Sequence, residues 1–508
     1  MSEALPGVPL PPPPPPPRDA SVVVLFRRVA GGVEVFWLER EQRLQFAGGF
    51  YAFAGGKLDE ADKQVPVDGA KGDQAAFIAC AARELFEETG VLKAGGAETL
   101  AQLELDELRR AVLAETLSFA QLLSSRGLVL HADDFVPSGR WITPPYLPRG
   151  FDARFFLVEA PANQSAIVWK GELTAGEWIA PNEALKRWER ATALLHPPNL
   201  HALQVMANFT DVASAAKQLA SAPHLTNFIA ARIEFQRGIM LFPLLTPTLP
   251  PATHTNCYLL GTRELLVVDP GSPDDEEIDR LIRFTRALDG MHVKAIVLTH
   301  HHGDHTGGAK RLAEQLGVPV WAHERTADRV PVEVARTLHE GEVIVLDGPM
   351  PMRWRVLHTP GHARGHVTLV DEATNAAIVG DMVAGVGTIV IDPPEGDMAE
   401  YLRQLARLEG LPVAAVYPAH GPVIPDGPGK MREYQLHRAW REQKVFEALQ
   451  SFDGEVEIGK LVERAYDDVA AFVWPIAERN TEAILEKLIQ EGRATRNGAR
   501  VTAAGTAS

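Results

Sequence analysis

A short histidine-rich stretch carries the clearest chemical pattern in the chain. Residues 300–305 read His-His-His-Gly-Asp-His, so four potential metal ligands, His300, His302, Asp304 and His305, fall within six positions. Imidazole and carboxylate groups at this density suit one divalent metal, and with ligands from elsewhere in the chain they suit two. A solvated histidine-rich loop is the alternative that composition permits. We favour metal binding, because complementary residues follow in order downstream. These residues are His362, Asp381 and His420.

A second pattern lies nearer the N-terminus, where residues 83–91 read Arg-Glu-Leu-Phe-Glu-Glu-Thr-Gly-Val. In a helix, Glu84, Glu87 and Glu88 share one face, because they stand at positions i, i+3 and i+4. Three carboxylates so close repel one another unless a cation lies among them, and hard oxygen ligands suit Mg²⁺ or Mn²⁺. Arg83 precedes Glu87 by one turn and can hold it in place. The alternative is a solvated acidic face of the helix.

The central ligand candidates lie at the ends of predicted strands. The apolar residues 295–298 read as a buried strand that runs directly into the histidine stretch. His362, Asp381 and His420 each follow a further predicted strand and stand beside glycine or proline. The pattern therefore predicts one site that is assembled from several strand ends.

The acidic motif follows a strand-rich region that begins at residue 21. The third predicted strand ends at the turn Gly55-Gly56, and a polar loop leads from it to a helix predicted over residues 74–89. Gly90 ends that helix as a C-cap residue. Residues 183–237 are expected to pack mainly as helices.

Residues 431–500 read as a small module of helices and a hairpin. An amphipathic helix opens at residue 437, two further helices are predicted over 458–466 and 481–490, and Asn497-Gly498 predicts a tight β-turn. The module contains 11 lysines and arginines against 13 acidic residues. A nucleic-acid-binding face normally shows a basic excess, so packing or a substrate lid is favoured over contact with RNA.

Composition predicts a soluble protein of several domains. The 508 residues carry a net charge of −16, which argues against broad attraction to nucleic acid or to anionic membranes. Two cysteines, no secretory signal and no apolar run long enough for a transmembrane helix together predict a cytoplasmic protein without a membrane partner. We expect domains at residues 20–237, 238–430 and 431–500, between a disordered proline-rich tail at 1–19 and a second disordered tail at 501–508.

The acidic motif resembles the box of the Nudix hydrolases, which ends in Arg-Glu-apolar-x-Glu-Glu-x-Gly-apolar. That resemblance implies an α/β/α sandwich with Mg²⁺ or Mn²⁺ bound by the three glutamates. It gives Glu87 and Glu88 catalytic roles and makes Arg83 a supporting residue. The implied reaction is pyrophosphate hydrolysis of a nucleoside diphosphate linked to another group.

The resemblance extends beyond the box to the Nudix subgroup related to coenzyme A diphosphatases. It is carried by Gly55 and Gly56, by the loop after them and by residues 151–156, which read Phe-Asp-Ala-Arg-Phe-Phe. It implies a coenzyme A or nucleotide derivative as substrate. Ala54 stands where that family usually has proline, and the longer spacing leaves the early glutamate of the box unassigned. A degenerate Nudix domain with little activity is therefore the alternative.

The ordered central motifs resemble the metallo-β-lactamase superfamily, which implies an αβ/βα sandwich with two zinc ions. By that resemblance, the ligands of the first zinc are His300, His302 and His362. Those of the second are Asp304, His305 and His420, and Asp381 bridges the two ions. Asp269 would orient a ligand histidine by accepting its free N–H. His366 is expected either to face the substrate or to pack.

The chemistry that this resemblance implies is hydrolysis of an ester, thioester or phosphodiester bond by a metal-bound hydroxide. Zinc lowers the pKa of bound water from about 15.7 to about 7, which no side-chain base matches. Asp304 is expected to aim the hydroxide. Asp381 stands where several antibiotic-hydrolysing lactamases carry cysteine, so true β-lactamase activity is disfavoured.

The C-terminal module looks like a winged helix, and its placement resembles the lactamase-beta-2-like hydrolases, some of which cut single-stranded RNA. Two alternatives to a small-molecule hydrolase follow. One is a single-stranded RNA endonuclease that uses the same metals. The other is a metal-responsive winged-helix nucleic-acid-binding protein. The acidic balance of the module favours a small-molecule substrate over both.

Overall fold

The computed structural model describes residues 15–504, apart from residues 43, 45, 46, 146, 148, 149, 223, 224 and 228. The chain forms two compact units, which divide between Met240 and Leu241. Most of the predicted N-terminal tail and residues 505–508 lie outside the described residues. In the described part of the chain, no helix is both long and apolar enough to cross a bilayer.

The N-terminal unit is built on a mixed sheet around its longest strand, Arg18–Val29. This strand pairs antiparallel with Gly32–Arg40 and Ala54–Lys57, and parallel with Phe151–Glu159. The pairing of Arg18 with Phe151 orders the end of the segment predicted as a disordered tail, so that prediction is corrected at residues 18 and 19. The remaining strands of the sheet are Phe50–Ala52, Val136–Ile142, Leu173–Ile179 and Leu194–Leu195.

Helices cover both faces of this sheet. Val23 and Leu25 pack on one face with the helix Gly72–Thr89, and the alternate residues Val24 and Phe26 belong to the core on the other face. This is the predicted α/β/α sandwich, and the predicted α/β multi-domain fold class is confirmed. On the first face the helices are Gly72–Thr89, Gln102–Leu113 and Phe119–Arg126. On the second face they are Pro181–Glu189, Pro197–Met206 and Val212–Ala220.

The segment predicted as helical packing, residues 183–237, is helical only in its first part. The short strands Leu225–Thr226, Ile229–Ala230 and Ile233–Gln236 follow the last helix, so the helical prediction is wrong there. The physical reason is the run of β-branched and aromatic residues, which favours extended backbone.

The C-terminal unit contains two sheets. In the first, Glu264–Val268 and His292–Leu298 pair parallel and are rich in buried apolar residues, as in parallel sheets covered on both faces. The second is mainly antiparallel. From Ile239 onward, the strand order of the first sheet is Ile239–Leu245, His254–Leu260, Glu264–Val268, His292–Leu298, Val320–Ala322 and Val334–Thr337. In the second it is Val343–Leu346, Met352–His358, Val367–Asp371, Ala377–Gly380 and Val416–Pro418. Helices accompany both sheets. They are Asp275–Arg286, Gly303–Thr306, Ala309–Leu316, Glu324–Ala327 and Met398–Glu409.

The C-terminal module shares one hydrophobic core with the second sheet. Val445 and Leu485 of the module belong to the same buried cluster as Leu405 and Val416. Val501 is buried and pairs with Val456, so the predicted tail at 501–508 is ordered through its first residues. The helices of the module are Gly427–Gln450, Ile458–Ala465 and Trp474–Gln490. Its strands are Val456–Glu457, Ala494–Asn497 and Arg500–Ala503.

An ion pair between a buried arginine and a partly exposed aspartate gives a stability prediction for this module. Arg441 donates two hydrogen bonds to Asp468, at 2.9 and 2.8 Å, and a third to the carbonyl of Ala465. The side chain of Arg441 is 7% exposed and that of Asp468 is 34% exposed. We expect Asp468→Asn to lower the free energy of urea unfolding at pH 7 by about 1–2 kcal/mol, after allowing for solvent screening at Asp468.

The loss of stability caused by Asp468→Asn should depend on pH in a defined direction. Hydrogen bonds from Arg441 hold the pKa of Asp468 well below its usual range. The ion pair therefore stabilises the fold above the ordinary aspartate pKa of about 3.9, and this stabilisation is lost as pH falls through the lower folded-state pKa. Asp467→Asn removes the neighbouring carboxylate, which is 71% exposed, and is the control. An equal loss of stability in the two variants would contradict the prediction.

Candidate metal centre and acidic helix site

Each metal-ligand candidate of the C-terminal unit lies just beyond a strand. His300 follows the strand His292–Leu298, and the short helix Gly303–Thr306 then carries Asp304 and His305. His362, Asp381 and His420 follow the strands Met352–His358, Ala377–Gly380 and Val416–Pro418, respectively. The strand ends thus bring ligand-type residues from both sheets to one place.

Three imidazole rings meet at one end of this site. His302 Nδ1 lies 3.0 Å from His300 Nε2 and 2.9 Å from His362 Nε2. The Nε2 atoms of His300 and His362 are 3.3 Å apart. These are also the three residues predicted to bind the first metal, and their ligand atoms lie close enough for a single ion.

A second group lies beside the first. Asp304 Oδ2 is 3.5 Å from His420 Nε2, and Asp304 Oδ1 is 4.0 Å from His305 Nε2. The three ligand atoms of this group all lie within 4.8 Å of one another. The group contains the residues predicted for the second metal.

Asp381 lies between the two groups and directs one oxygen toward each. Its Oδ2 atom is 3.4 Å from His362 Nε2 of the first group. Its Oδ1 atom is 3.5 Å from both His305 Nε2 and His420 Nε2 of the second. A carboxylate in this position can serve two cations at once.

Asp269 supports the second group from below. Its Oδ2 atom lies 2.8 Å from His305 Nδ1, and its carboxylate accepts hydrogen bonds from the backbone N–H and the hydroxyl of Thr299. The backbone of Asp269 has a positive φ of 53°, which is uncommon for a residue with a side chain. A Cβ at Gly271 would overlap the backbone carbonyl of Asp304, so glycine allows the turn after Asp269 to pack this closely.

His366 packs under the site and does not line its cavity. The ring is fully buried, Nδ1 lies 2.9 Å from the hydroxyl of Thr359, and Nε2 accepts a hydrogen bond from the backbone N–H of Asp381 at 3.0 Å. Of the two expectations for His366, the contacts fit packing beneath Asp381 rather than contact with a substrate.

The pKa values of the histidines in the site differ according to the charged groups beside each ring. Burial, together with the adjacent imidazoles, holds the pKa of His300 well below its usual range and lowers that of His302 to about 3. Burial also opposes protonation of His305, but the carboxylates of Asp381 and Asp269 outweigh it and hold its pKa well above the usual range. Burial opposes ionisation of Asp381, yet His420 and His305 hold the pKa of that carboxyl well below the usual range.

The donor set fits divalent metals. His305 Nε2 and Asp381 Oδ1 are buried, and neither has a hydrogen-bond partner among the described residues. Buried polar atoms are rarely left without partners, and these two face each other within a cluster of ligand-type atoms. Cations among the imidazole nitrogens and carboxylate oxygens would satisfy both.

The acidic helix of the N-terminal unit presents a second candidate site. Arg83 donates to Glu84 at 2.8 Å and to Glu87 at 3.3 Å. The same guanidinium donates to both carboxylate oxygens of Asp62, at 2.8 and 2.9 Å, and Asp62 is 1% exposed. Arg83 is thus fixed from behind by Asp62 and holds two of the predicted metal ligands from their own helix. Asp62 was absent from the sequence-based prediction.

Glu88 and the glycine turn complete this second site. Glu88 accepts a hydrogen bond from the backbone N–H of Gly55 at 2.9 Å. A Cβ at Gly56 would overlap the carboxylate of Glu84, which explains glycine at that position. Burial raises the pKa of Glu84 to about 7 and that of Glu88 to about 8, and it also raises the pKa of Glu87. Carboxylates this crowded and buried are stabilised as anions by a bound cation.

Comparison with known proteins identifies the parts of the chain. Residues 250–420 match the family model for the metallo-beta-lactamase superfamily, and residues 458–502 match the model for the beta-lactamase associated winged helix domain. Residues 63–206 match the NUDT19 Nudix domain. A beta-lactamase-like protein 2 homolog from Caenorhabditis elegans is 30% identical over 243 residues, which cover 47% of this chain and 79% of that protein. The chain belongs to the metallo-beta-lactamase superfamily. The predicted families are thereby confirmed.

The matches of this metallo-beta-lactamase superfamily member to other relatives cover a smaller share of those proteins. An atrochrysone carboxyl ACP thioesterase from Aspergillus chevalieri is 35% identical over 198 residues, which cover 38% of this chain and 60% of that protein. Among solved structures, a metallo-beta-lactamase family protein from Thermus thermophilus is 26% identical, with a TM-score of 0.45. The match covers 52% of this chain and 98% of that one. The domain families make the chain a hydrolase.

The metallo-beta-lactamase site opens into a large cavity of about 1170 Å³. His302, Asp304, His362, Asp381 and His420 line its floor. The rest of the described lining combines acidic, hydroxyl-bearing and apolar side chains. Its acidic residues are Asp274, Asp275, Asp392 and Glu395, and its one lysine or arginine is Arg479, which is ion-paired with Asp392 at 3.1 Å.

The Nudix site opens into a separate cavity of about 410 Å³. Glu84, Glu88, Gly55 and Gly56 form its acidic end. Apolar side chains form most of the remaining wall. They include Phe53, Trp141, Phe151, Phe155 and Phe235. The cavity therefore combines an acidic end with room for an apolar or aromatic group.

Proposed function

We propose that the C-terminal unit is a dinuclear zinc hydrolase that cleaves a thioester or ester bond of a small-molecule substrate. One observation carries this proposal. Asp381 lies between two clusters of ligand atoms and directs one carboxylate oxygen toward each. That arrangement suits two cations better than one, and it leaves one side of both clusters open to the cavity.

We assign one zinc ion to His300, His302 and His362, and the other to Asp304, His305 and His420. Nitrogen-rich donor sets of this kind suit zinc. When bound, two such cations lower the pKa of water toward neutrality and polarise a substrate oxygen. The remaining chemistry belongs to the side chains around them.

The side chains have separable tasks in this proposal. Asp304 lines the cavity and is positioned to accept the proton of the attacking water and to aim its oxygen. Asp269 fixes the ring of His305 by accepting from Nδ1 at 2.8 Å, so that Nε2 faces the site. His366 accepts from the backbone N–H of Asp381 and so holds the start of the loop that carries the bridging carboxylate.

The cavity wall favours an uncharged scissile group over a nucleic-acid strand. A phosphodiester backbone would meet the carboxylate of Asp274 and the ion-paired carboxylates of Asp275, Asp392 and Glu395. The one arginine of the described lining, Arg479, is already paired with Asp392. Proteins that track such a backbone line the groove with cations. The thioesterase name of the fungal relative supports the choice of a thioester, which is neutral at its reacting carbonyl.

We propose a second activity, pyrophosphate hydrolysis, for the Nudix domain. The supporting observation is the cluster of Glu84, Glu87 and Glu88, which is held together by Arg83 beside a largely apolar cavity. Mg²⁺ or Mn²⁺ among these oxygens would activate water and neutralise the charge of a diphosphate. Glu87 and Glu88 are the proposed catalytic carboxylates. A coenzyme A or nucleotide derivative with an apolar group would suit this cavity.

Metal removal tests the zinc proposal directly. We expect protein stripped with a chelator to lose at least about 1,000-fold of its thioesterase activity, because side chains alone cannot generate the nucleophile at neutral pH. Stoichiometric Zn²⁺ should restore this activity, and Mg²⁺ alone should not. The measurement is a steady-state assay on acyl thioesters, esters, lactones and labelled single-stranded RNA, alongside the metal content of each sample. Cleavage of RNA alone, or thioesterase activity that survives stripping, would overturn the proposal.

A further inference from the structure

We propose that Asn480 and Arg438 of the C-terminal winged-helix module are positioning residues for the metal ligand His362. They act through the backbone segment 388–392, which lies between the module and the metal centre. The inference rests on the proposed function insofar as His362 is a ligand. It goes further, because it gives the module a task at the metal centre that neither lid closure nor binding of nucleic acid requires.

His362 is oriented by this segment. The ring is 6% exposed, and its Nδ1–H donates to the backbone carbonyl of Val390 at 2.7 Å. That hydrogen bond fixes the tautomer and directs the lone pair of Nε2 toward His300 and His302, at 3.3 and 2.9 Å. The position of the Val390 carbonyl therefore decides where the third nitrogen of the first group points.

The residues on either side of Val390 are held by the module. The backbone N–H of Ile391 donates to Asn480 Oδ1 at 3.0 Å. Arg438 donates to the backbone carbonyl of Ile389, and its Nη2 lies 3.3 Å from the hydroxyl of Thr388. Of three consecutive residues, Ile389 and Ile391 thus form hydrogen bonds with the module, and Val390 between them bonds to His362. The segment lies outside helices and strands, so sheet hydrogen bonds do not fix it.

Arg438 and Asn480 form one buried polar unit. They are 4% and 6% exposed, and Arg438 Nη1 donates to Asn480 Oδ1 at 3.3 Å. Asn480 Oδ1 therefore accepts from both Arg438 and Ile391, which fixes the orientation of its amide. A buried guanidinium is costly to desolvate, and a well-packed apolar pair would stabilise the module at least as well. These contacts give the polar pair a purpose outside the stability of the module.

The same segment also forms part of the substrate cavity. Thr388, Ile389, Val390 and Asp392 line its wall beside His362. Residues that orient metal ligands from behind typically contribute 10–100-fold to metal affinity. We therefore expect disruption of the Asn480 contact to weaken metal binding by about this factor.

The decisive experiment compares Asn480→Leu with Thr481→Val in the full-length protein. Leucine fills a similar volume but leaves the N–H of Ile391 without an acceptor. Thr481 is its buried neighbour on the same helix, and its hydroxyl bonds to Ala477 rather than to the segment 388–392. The readouts are Zn²⁺ affinity by chelator competition, the absorption spectrum of the Co²⁺-substituted protein and the melting temperature of the metal-free protein.

Asn480→Leu should weaken Zn²⁺ binding about 10–100-fold and alter the Co²⁺ spectrum, whereas Thr481→Val should change neither. Asn480→Asp keeps an oxygen acceptor and should therefore retain the Zn²⁺ affinity and the Co²⁺ spectrum of the unmodified protein. Arg438→Lys loses the forked donors and provides the same comparison if Asn480→Leu fails to fold.

The inference would be overturned if Asn480→Leu and Arg438→Lys both had the same Zn²⁺ affinity and Co²⁺ spectrum as Thr481→Val. That result would leave the proposed hydrolase intact. If the folded Arg438→Lys protein alone matches Thr481→Val where Asn480→Leu does not fold, the inference is likewise overturned. Failure of the unmodified protein to bind Zn²⁺ or Co²⁺ would instead overturn the proposed function, and this inference with it.

Discussion

Asp304→Ala is expected to lower the kcat/KM of thioester or ester hydrolysis by at least about 1,000-fold, which corresponds to about 4 kcal/mol of transition-state stabilisation. The variant loses a proposed metal ligand of the second group, where Asp304 Oδ2 lies 3.5 Å from His420 Nε2. It also loses the carboxylate that we propose aims the attacking water. Steady-state kinetics of the Zn²⁺-loaded protein, with metal content measured on the same sample, report both effects.

Asp275→Ala is the matched control for this experiment. Asp275 lines the same cavity and carries the same charge, but its side chain is 77% exposed and is paired with Arg311. Because it lies outside the ligand clusters, its removal should change kcat/KM by no more than about twofold, as is usual for exposed charges. Similar kinetics for the two variants would contradict the assigned role of Asp304.

The largest expected effect on stability is that of Asp62→Asn in the Nudix domain. Asp62 is buried, and its carboxylate accepts two hydrogen bonds from Arg83. Asparagine keeps the shape but leaves the buried guanidinium without its main counter-ion. Losing one partner of a buried pair costs about 3–5 kcal/mol. We expect about 3 kcal/mol for this variant, because Glu84 and Glu87 remain as partners of Arg83.

Hydrogen–deuterium exchange of the helix Gly72–Thr89 measures this loss in the intact chain. A destabilisation of about 3 kcal/mol should speed exchange by about 100-fold. The proposed Mg²⁺-dependent pyrophosphate hydrolysis should also fall, because Arg83 keeps its contacts with Glu84 and Glu87 but is no longer fixed by Asp62. Asp59→Asn is the control, since Asp59 lies 3.9 Å from Arg83 and is 49% exposed. Equal exchange rates in the two variants would refute the special role of Asp62.

The central ligand candidates could be predicted from sequence because each belongs to a local pattern. In each case a predicted apolar strand ends just before an imidazole or a carboxylate, and at His362, Asp381 and His420 a glycine stands beside the ligand candidate. His366 shows the limit of that logic. It stands four residues after His362, yet its ring packs under Asp381, and only the path of the backbone between the two decides this.

Contacts between distant residues were not predictable in the same way. Asp62 meets Arg83 across 21 positions and through a loop of unusual length, so helix periodicity could not relate them. The available signal was a carboxylate six residues after Gly56. The hydrogen bond between Asn480 and Ile391 spans 89 positions and joins a helix to a segment outside helices and strands. No local sequence pattern relates two such residues. The module was expected to pack or to cover a substrate, and its contacts with the segment 388–392 are more specific than either.

The distribution of the ligands along the chain has a consequence for biosynthesis. During translation, His300 is synthesised more than one hundred residues before His420, and Asn480 follows later still. Until the last strand of the second sheet has left the exit tunnel, the nascent protein lacks a complete donor set. If the centre binds the two proposed zinc ions, it can be completed only late in synthesis, and prematurely terminated products that end before His420 would lack one of the proposed ligands.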